Sequence, residues 1–322
     1  MRERRMDLHK LHIESAPHTH GNASASSIML LVIIALLPAA ITGIFNYGTQ
    51  AAMLLFVSVG SAFVTEALMT LIFRHRMTVR DLSAVVTGLI LGMLLPPDLE
   101  PWKAALGSVL AIAIKQFFGG IGKNPVNPAG IAWIFLLIMN YQEMTTWRIP
   151  GTGELTRVTP LMSGDATYWD LILGNCASYI GTGCAAALLL GAVFLCLTGI
   201  ISPVTPLSFL GSFALLTWIG GFDVPGQLLS GCILLAACFM ASDFTTTPFT
   251  PAGKCVFGIG CGVLTFFIRH YGGYPEGAVF AVVVMNLLTP KLNRLTRRRP
   301  FGAAAKQKKR KEKKKKAVSE AA

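Results

Sequence analysis

Charge is what this 322-residue sequence has least of. Only 14% of its residues are Asp, Glu, Lys or Arg, against roughly a quarter in soluble domains, while 53% are hydrophobic. So little charge cannot coat a water-facing surface, and a mean hydropathy of +0.58 is membrane composition. Acids number sixteen in all, and no nucleophile–histidine–acid set, carboxylate pair or metal-ligand frame is spaced for hydrolysis. The seven cysteines include no C-x-x-C pair, and they are read as small core fillers, not as zinc or iron–sulfur ligands. Four of the six histidines fall in "HKLHIESAPHTH" without a carboxylate or thiolate in a fixed frame, so that stretch reads as a hydrated terminal segment. The first apolar run begins near Ile28 and continues too long for an h-region, so no cleavable signal peptide is expected.

What is present is a series of apolar blocks that reach, or nearly reach, the length needed to cross about 30 Å of hydrocarbon. They centre on residues 27–46, 50–73, 82–96, 103–121, 126–140, 184–201, 207–221, 226–242, 255–269 and 275–290. The prediction is an all-α polytopic membrane protein with about ten transmembrane helices. Several blocks contain Gly or Pro and are short, which predicts broken or half-length helices whose freed backbone groups are satisfied by protein or by a bound group.

The formal net charge of +12 resides mainly in "KQKKRKEKKKK", which puts nine basic residues in 306–316. No aromatic residue interleaves those lysines, so the tail is read as a cytoplasmic segment leaning on anionic membrane lipid, with no nucleic-acid partner. With ten spans, "RERRMDLHK", "FRHRMTVR", the Lys123 loop and "KLNRLTRRRP" fall on one side, and positive-inside bias puts both termini in the cytoplasm. The expected organisation is a cytoplasmic segment 1–26, a first five-span repeat 27–140, an external loop 141–183, a second five-span repeat 184–290 and a basic tail 291–322. The halves echo each other: "IKQFFGGIGKNPVNPAGIAWIFLLIMN" (114–140) resembles "FIRHYGGYPEGAVFAVVVMN" (267–286), and "TGLILGMLLPPD" (87–98) pairs with "SGCILLAACFMASD" (230–243). Five spans per half make the repeat inverted, an arrangement that tends to place a site between the halves near the midplane.

Three stretches carry candidate chemistry. "SDFTTTPFTPAGK" (242–254) gathers five hydroxyl residues, Asp243 and two prolines. Proline interrupts the helix and leaves donors for a polar ligand, so Asp243, Thr245, Thr246 and Thr247 are predicted to line a polar cavity between the repeats and to hold a noncovalent flavin edge or an ion. "FGGIGKNPVNP" (118–128) offers glycines and amides that suit phosphate, yet it is not a Walker loop because Asn124 follows the Gly-Lys. Glu66, Lys115, Asp243 and Glu276 are the ionisable residues within or beside the apolar blocks; such residues point to transport or relay, and for Glu66, the deepest, pairing with another span is an equal alternative to ion handling.

These stretches resemble the D subunit of the Rnf ion-translocating electron-transport complex, related to the B subunit of the sodium-translocating NADH:quinone oxidoreductase. The resemblance spans nearly all of residues 8–293 and rests on "SAPHTHGNASASSIMLLVIIALLPAAITGIFNYG", "KQFFGGIGKNPVNPAG", "DLILGNCASYIGTGCAAALLLGA" and "SDFTTTPFTPAGKCVFGIGCGVLTFFIRHYGGYPEGAVFAVVVMNLLTP". It implies electron flow from ferredoxin to NAD through flavin, coupled to sodium or proton translocation, with other membrane, flavin and iron–sulfur subunits as partners. It also implies FMN joined by a phosphoester to a threonine of the external loop, placed there by a flavin transferase, and riboflavin as a second flavin.

The family's attachment motif is Asp-x-x-Ser/Thr-Gly/Ser-Ala-Thr-Pro-Leu. In "TRVTPLMSGDAT" (156–167), Thr156, Thr159, Pro160 and Leu161 keep its register, which selects Thr159 over Thr167, the end of "SGDAT". The chain departs from the motif at Gly153, where the family has the acid and where Glu154 lies one place off, at Arg157 in place of Gly or Ser, and at Val158 in place of Ala. Arg157 either pairs with the phosphate or obstructs the transferase. "SYIGTG" (178–183) also lacks the family's frequent Glu. A solute channel or transporter would share the spans and repeats without any redox group, and an inert scaffold for other subunits is a third alternative.

Overall fold

The computed structural model describes residues 24–73, 81–120, 122, 124–163, 166–274 and 276–297. The histidine-rich start, residues 74–80, Lys123, Gly164, Asp165 and the basic tail therefore lie outside the described residues. The chain is mostly helical. Helices α1 (Ala25–Tyr47), α2 (Thr49–Phe73), α3 (Ser83–Met93), α4 (Pro101–Phe117) and α5 (Pro128–Met139) precede a segment of short elements, comprising α6 (Tyr141–Met144), β1 (Trp147–Arg148), β2 (Leu155–Thr156), α7 (Pro160–Ser163) and α8 (Tyr168–Leu173). Then come α9 (Ala185–Leu197), α10 (Val204–Ile219), α11 (Val224–Leu229), α12 (Ile233–Leu235) with a π-helical turn over Ala236–Met240, α13 (Pro251–Tyr271) and α14 (Gly277–Thr296).

Four of these helices, α1, α2, α13 and α14, are long and apolar enough to cross a membrane. Their outward faces carry large apolar residues, among them Phe45, Phe56, Leu71 and Phe267, as lipid-facing helices do. Local signals set where helices begin. Ser24 accepts a hydrogen bond from the Ser27 amide at the head of α1, Asn127 from Gly130 before α5, and Thr250 from Gly253 before α13. The last two are each followed by proline at the first helical position, where a missing N–H costs nothing.

The expected breaks are visible where apolar blocks exceed their helices. α3 stops at Met93, and the carbonyls of Met93, Leu94 and Leu95 are taken by other parts of the chain. Gly181 N–H donates to Met93 O at 2.8 Å and Ile180 N–H to Leu95 O at 3.1 Å, while Trp133 Nε1 donates to Leu94 O at 2.9 Å. In apolar surroundings each unpaired carbonyl would cost several kcal/mol, so this lattice is what allows the chain to leave helix inside the fold. Trp133 anchors it, packed edge-on against Tyr179 and Phe280.

Packing partners correspond between the halves. α2 packs on α4 as α10 packs on α13, α4 packs on α5 as α13 packs on α14, and α1 meets α9 where the halves join. Glycine makes that junction close. A Cβ on Gly191 of α9 would land on the Ala35 carbonyl oxygen of α1, and one on Gly43 of α1 would land on the Ile180 carbonyl, the small-residue approach by which helices associate in lipid.

Candidate flavin sites

The threonine stretch sits on a small hairpin. β1 and β2 pair antiparallel, Trp147 opposite Thr156 and Arg148 opposite Leu155, and Ile149 N–H donates to Glu154 O at 2.9 Å. Gly153 in the turn has φ 74°, a left-handed conformation that glycine adopts freely. Arg148 forks onto Asp98, with Nε 3.0 Å from Oδ2 and the second guanidinium nitrogen on Oδ1. This ties the hairpin to the segment that follows α3.

Beyond the hairpin, Thr156 Oγ1 accepts from the Val158 amide at 3.0 Å, which turns the chain so that neighbouring residues face opposite ways. Arg157 and Val158 are exposed. Thr159 is 3% exposed, and its carbonyl accepts from Met162 N–H at 2.8 Å to open α7. Esterification calls for an exposed hydroxyl in an extended loop, whereas the Thr159 hydroxyl is packed inward, with the α7 turn folding directly after it. Thr167 is exposed at the start of α8, with its hydroxyl donating to Asp170. Arg157 and Thr159 thus face apart, and an Arg157–phosphate pair requires the segment to rearrange.

Beneath this segment lies a second charged group that the sequence had only nominated. Glu276 is buried and its carboxylate accepts from Cys232 N–H at 2.8 Å. A Cβ on Gly231 would meet both Glu276 oxygens and the Leu161 side chain, so Leu161 of the motif rests beside this acid. Arg269 donates to the Gln227 carbonyl at 2.6 Å and stacks over Phe213. Of the cysteines near this face, Cys176 is buried, and loss of solvent pushes its thiol up to about 12, which suits a core filler.

Another opening lies where α1 and α3 face the 239–245 stretch. A cleft of about 720 Å³, counting the part open to solvent, is walled by Met29 and Val32 of α1, Ser83, Thr87 and Ile90 of α3, Lys115 of α4, and Asn124, Asn127, Phe239, Asp243, Phe244 and Thr245. Its walls are mostly apolar with a few convergent polar groups, the mixture found in small-molecule sites. The 242–254 stretch reaches it only in part. Asp243 accepts from the Thr245 amide at 3.2 Å and from its hydroxyl at 2.7 Å, and both residues line the cleft. Thr246 and Thr247 do not, contrary to expectation. The amides of both donate to Asp243 O, and this tight turn carries them to another face: Thr246 is buried with its carbonyl accepting from Thr289, and Thr247 lines an adjoining cavity of about 440 Å³ with Lys254.

Glu66 and Lys115, on different helices, meet behind the cleft wall. Lys115 Nζ lies 2.8 Å from Glu66 Oε1 and also donates to Ser83 Oγ, and Gln116 Nε2 donates to the same Glu66 oxygen at 3.2 Å. Glu66 is 1% and Lys115 2% exposed. Opposite charges buried this deep depend on each other, since removing one partner leaves the other uncompensated at a cost of about 3–5 kcal/mol. Sequence reasoning nominated both residues but did not pair them. It missed Ser83, whose polarity inside an apolar block was the available signal, and named the stretch that holds Asn127 without singling out that residue.

The family model for NQR2, RnfD and RnfE matches residues 12–302. The chain belongs to that family. Its relatives include the D subunit of the Na(+)-translocating ferredoxin:NAD(+) oxidoreductase complex of Acetobacterium woodii, 41% identical over 91% of this chain and 95% of the relative. The D subunit of the proton-translocating counterpart from Clostridium ljungdahlii is 36% identical over 90% and 96%, and that of an ion-translocating oxidoreductase complex from Erwinia tasmaniensis is 31% identical over 90% and 98%. The resemblance to an Rnf D subunit read from the motifs is borne out. This family member is a polytopic membrane subunit of an Rnf-type complex, and the transporter alternative is not favoured.

Proposed function

We propose that this D subunit carries electrons through two flavins, one esterified to Thr159 and one held without a covalent bond in the cleft between two inverted five-helix repeats, within a complex that moves electrons between ferredoxin and NAD and couples the flow to ion translocation. The cleft is the observation that carries the proposal. Its lining suits an isoalloxazine: apolar side chains of Phe239, Phe244 and Ile90 for the ring faces, the Asn127 amide for a carbonyl edge, and the Asp243 carboxylate for a ring N–H. A flavin bound there supplies electron transfer, and the protein supplies position and field. The Thr159 hydroxyl meets its FMN when the α7 turn is displaced, before the segment docks or by opening of it. The partners are the complex's other membrane, flavin and iron–sulfur subunits, together with a flavin transferase. The relatives named above differ in their coupling ion, so sodium and protons both remain within the proposal.

The test is flavin released from the purified complex by acid. Asp243→Asn with Thr245→Val is expected to cut the dissociable flavin at least tenfold while any gel-stable flavin persists. An assembled wild-type complex that is colourless and unaffected by dithionite overturns the electron-carrier reading. Orientation is tested separately: reporters fused after Arg80 and after Pro300 are expected to read cytoplasmic and one within 145–155 external, and an external C-terminus refutes the inverted scheme.

A further inference from the structure

Lys115 is the one cation among the described residues that wall the cleft, and its surroundings hold it there. Its ammonium is fixed from behind by Glu66 and from the side by Ser83, itself a cleft residue. Glu66 does not reach the wall. The buried pair is therefore an oriented dipole, positive end toward the cleft, in surroundings where water screens little. The second Glu66 oxygen has no hydrogen-bond partner among the described residues, so the carboxylate is held chiefly by Lys115 and Gln116. An ion pair that served packing alone would be replaceable by apolar residues at little or no loss; one whose cation forms the wall of a ligand cleft acts on the ligand's charge.

We propose that Lys115 is a positioning and electrostatic residue that favours the reduced, electron-rich form of the ligand in this cleft, with Glu66 limiting the effect from behind. The inference rests on the noncovalent-flavin reading of the cleft. Added electrons place negative charge on the flavin ring, and a fixed ammonium at the wall binds that form more tightly than the neutral oxidised ring. Asp243 shares the cleft with its opposite charge and is present in both states, so it offsets the level without reversing the dependence on Lys115.

The experiment is a potentiometric titration of the dissociable flavin in the intact complex. Lys115→Met is expected to weaken the preference for the reduced form at least tenfold, which for a two-electron couple lowers the potential by about 30 mV. Glu66→Gln keeps the hydrogen-bonding shape, removes the offsetting charge and is expected to raise it. Opposite signs are the signature, because general disturbance of the fold carries none. If Lys115→Met fails to assemble, the double variant Lys115→Met with Glu66→Gln removes both charges together and is expected to assemble with a potential below that of Glu66→Gln; a potential equal to or above it overturns the inference. An infrared carbonyl band of a protonated carboxyl, expected in Lys115→Met and absent in wild type, reports the broken pair independently of flavin. Unmoved potentials, or shifts of one sign in both single variants with flavin content intact, overturn the inference alone. A wild-type complex without dissociable flavin overturns the flavin reading and the inference with it.

Discussion

A Thr159→Val protein, produced with its flavin transferase, is expected to show no fluorescent flavin band on a denaturing gel, while Thr167→Val keeps it. The reaction needs a hydroxyl in the register of the Thr-Pro-Leu segment, and Thr159 is followed by Pro160 and Leu161. Valine is nearly isosteric with threonine, so the complex stays assembled and the loss is chemical; forfeiting a buried hydroxyl's net hydrogen bonding costs about 1 kcal/mol. The inward-packed hydroxyl adds a second expectation. Labelling should be faster in newly made or detergent-loosened protein than in assembled complex, since the α7 turn must leave its seat. A band that survives in Thr159→Val and disappears in Thr167→Val assigns the site to Thr167, whose side chain is already exposed.

Gly191→Val is expected to separate the two halves. Even an alanine Cβ there coincides with the Ala35 carbonyl oxygen, and because the obstacle is backbone, no rotamer change relieves it. Overpacking costs about 1–3 kcal/mol, enough to lower the unfolding midpoint of the purified protein visibly. α1 also contributes Met29 and Val32 to the cleft, so noncovalent flavin should be lost along with stability. Gly60→Val on α2 is the control: a Cβ at Gly60 meets nothing within 4 Å, and that variant is expected to match wild type. Equal stability of the Gly191 and Gly60 variants would show that the α1–α9 contact is not the junction.

Composition and motif alone settle the solvent, the family and the places where the chain must break. A hydrocarbon surrounding leaves no alternative to helices whose backbone groups pair internally, and the Pro–Gly interruptions near residues 96, 125 and 250 mark where that pairing fails and another partner is required. The Thr-Pro-Leu register and the four ionisable positions near the spans were equally legible, since polar residues are rare enough in such a chain to be noticed singly. Which residues meet was fixed by the packing of the helices. Glu66 and Lys115 are 49 residues apart and pair because α2 packs on α4. Asp243 and Thr245 reach the cleft while Thr246 and Thr247 turn away, because one hydrogen-bonded turn rotates adjacent hydroxyls onto different faces. Thr159 is buried by the α7 turn that its own proline begins. Each outcome depends on side-chain direction and long-range contact, quantities that periodicity along a chain does not encode.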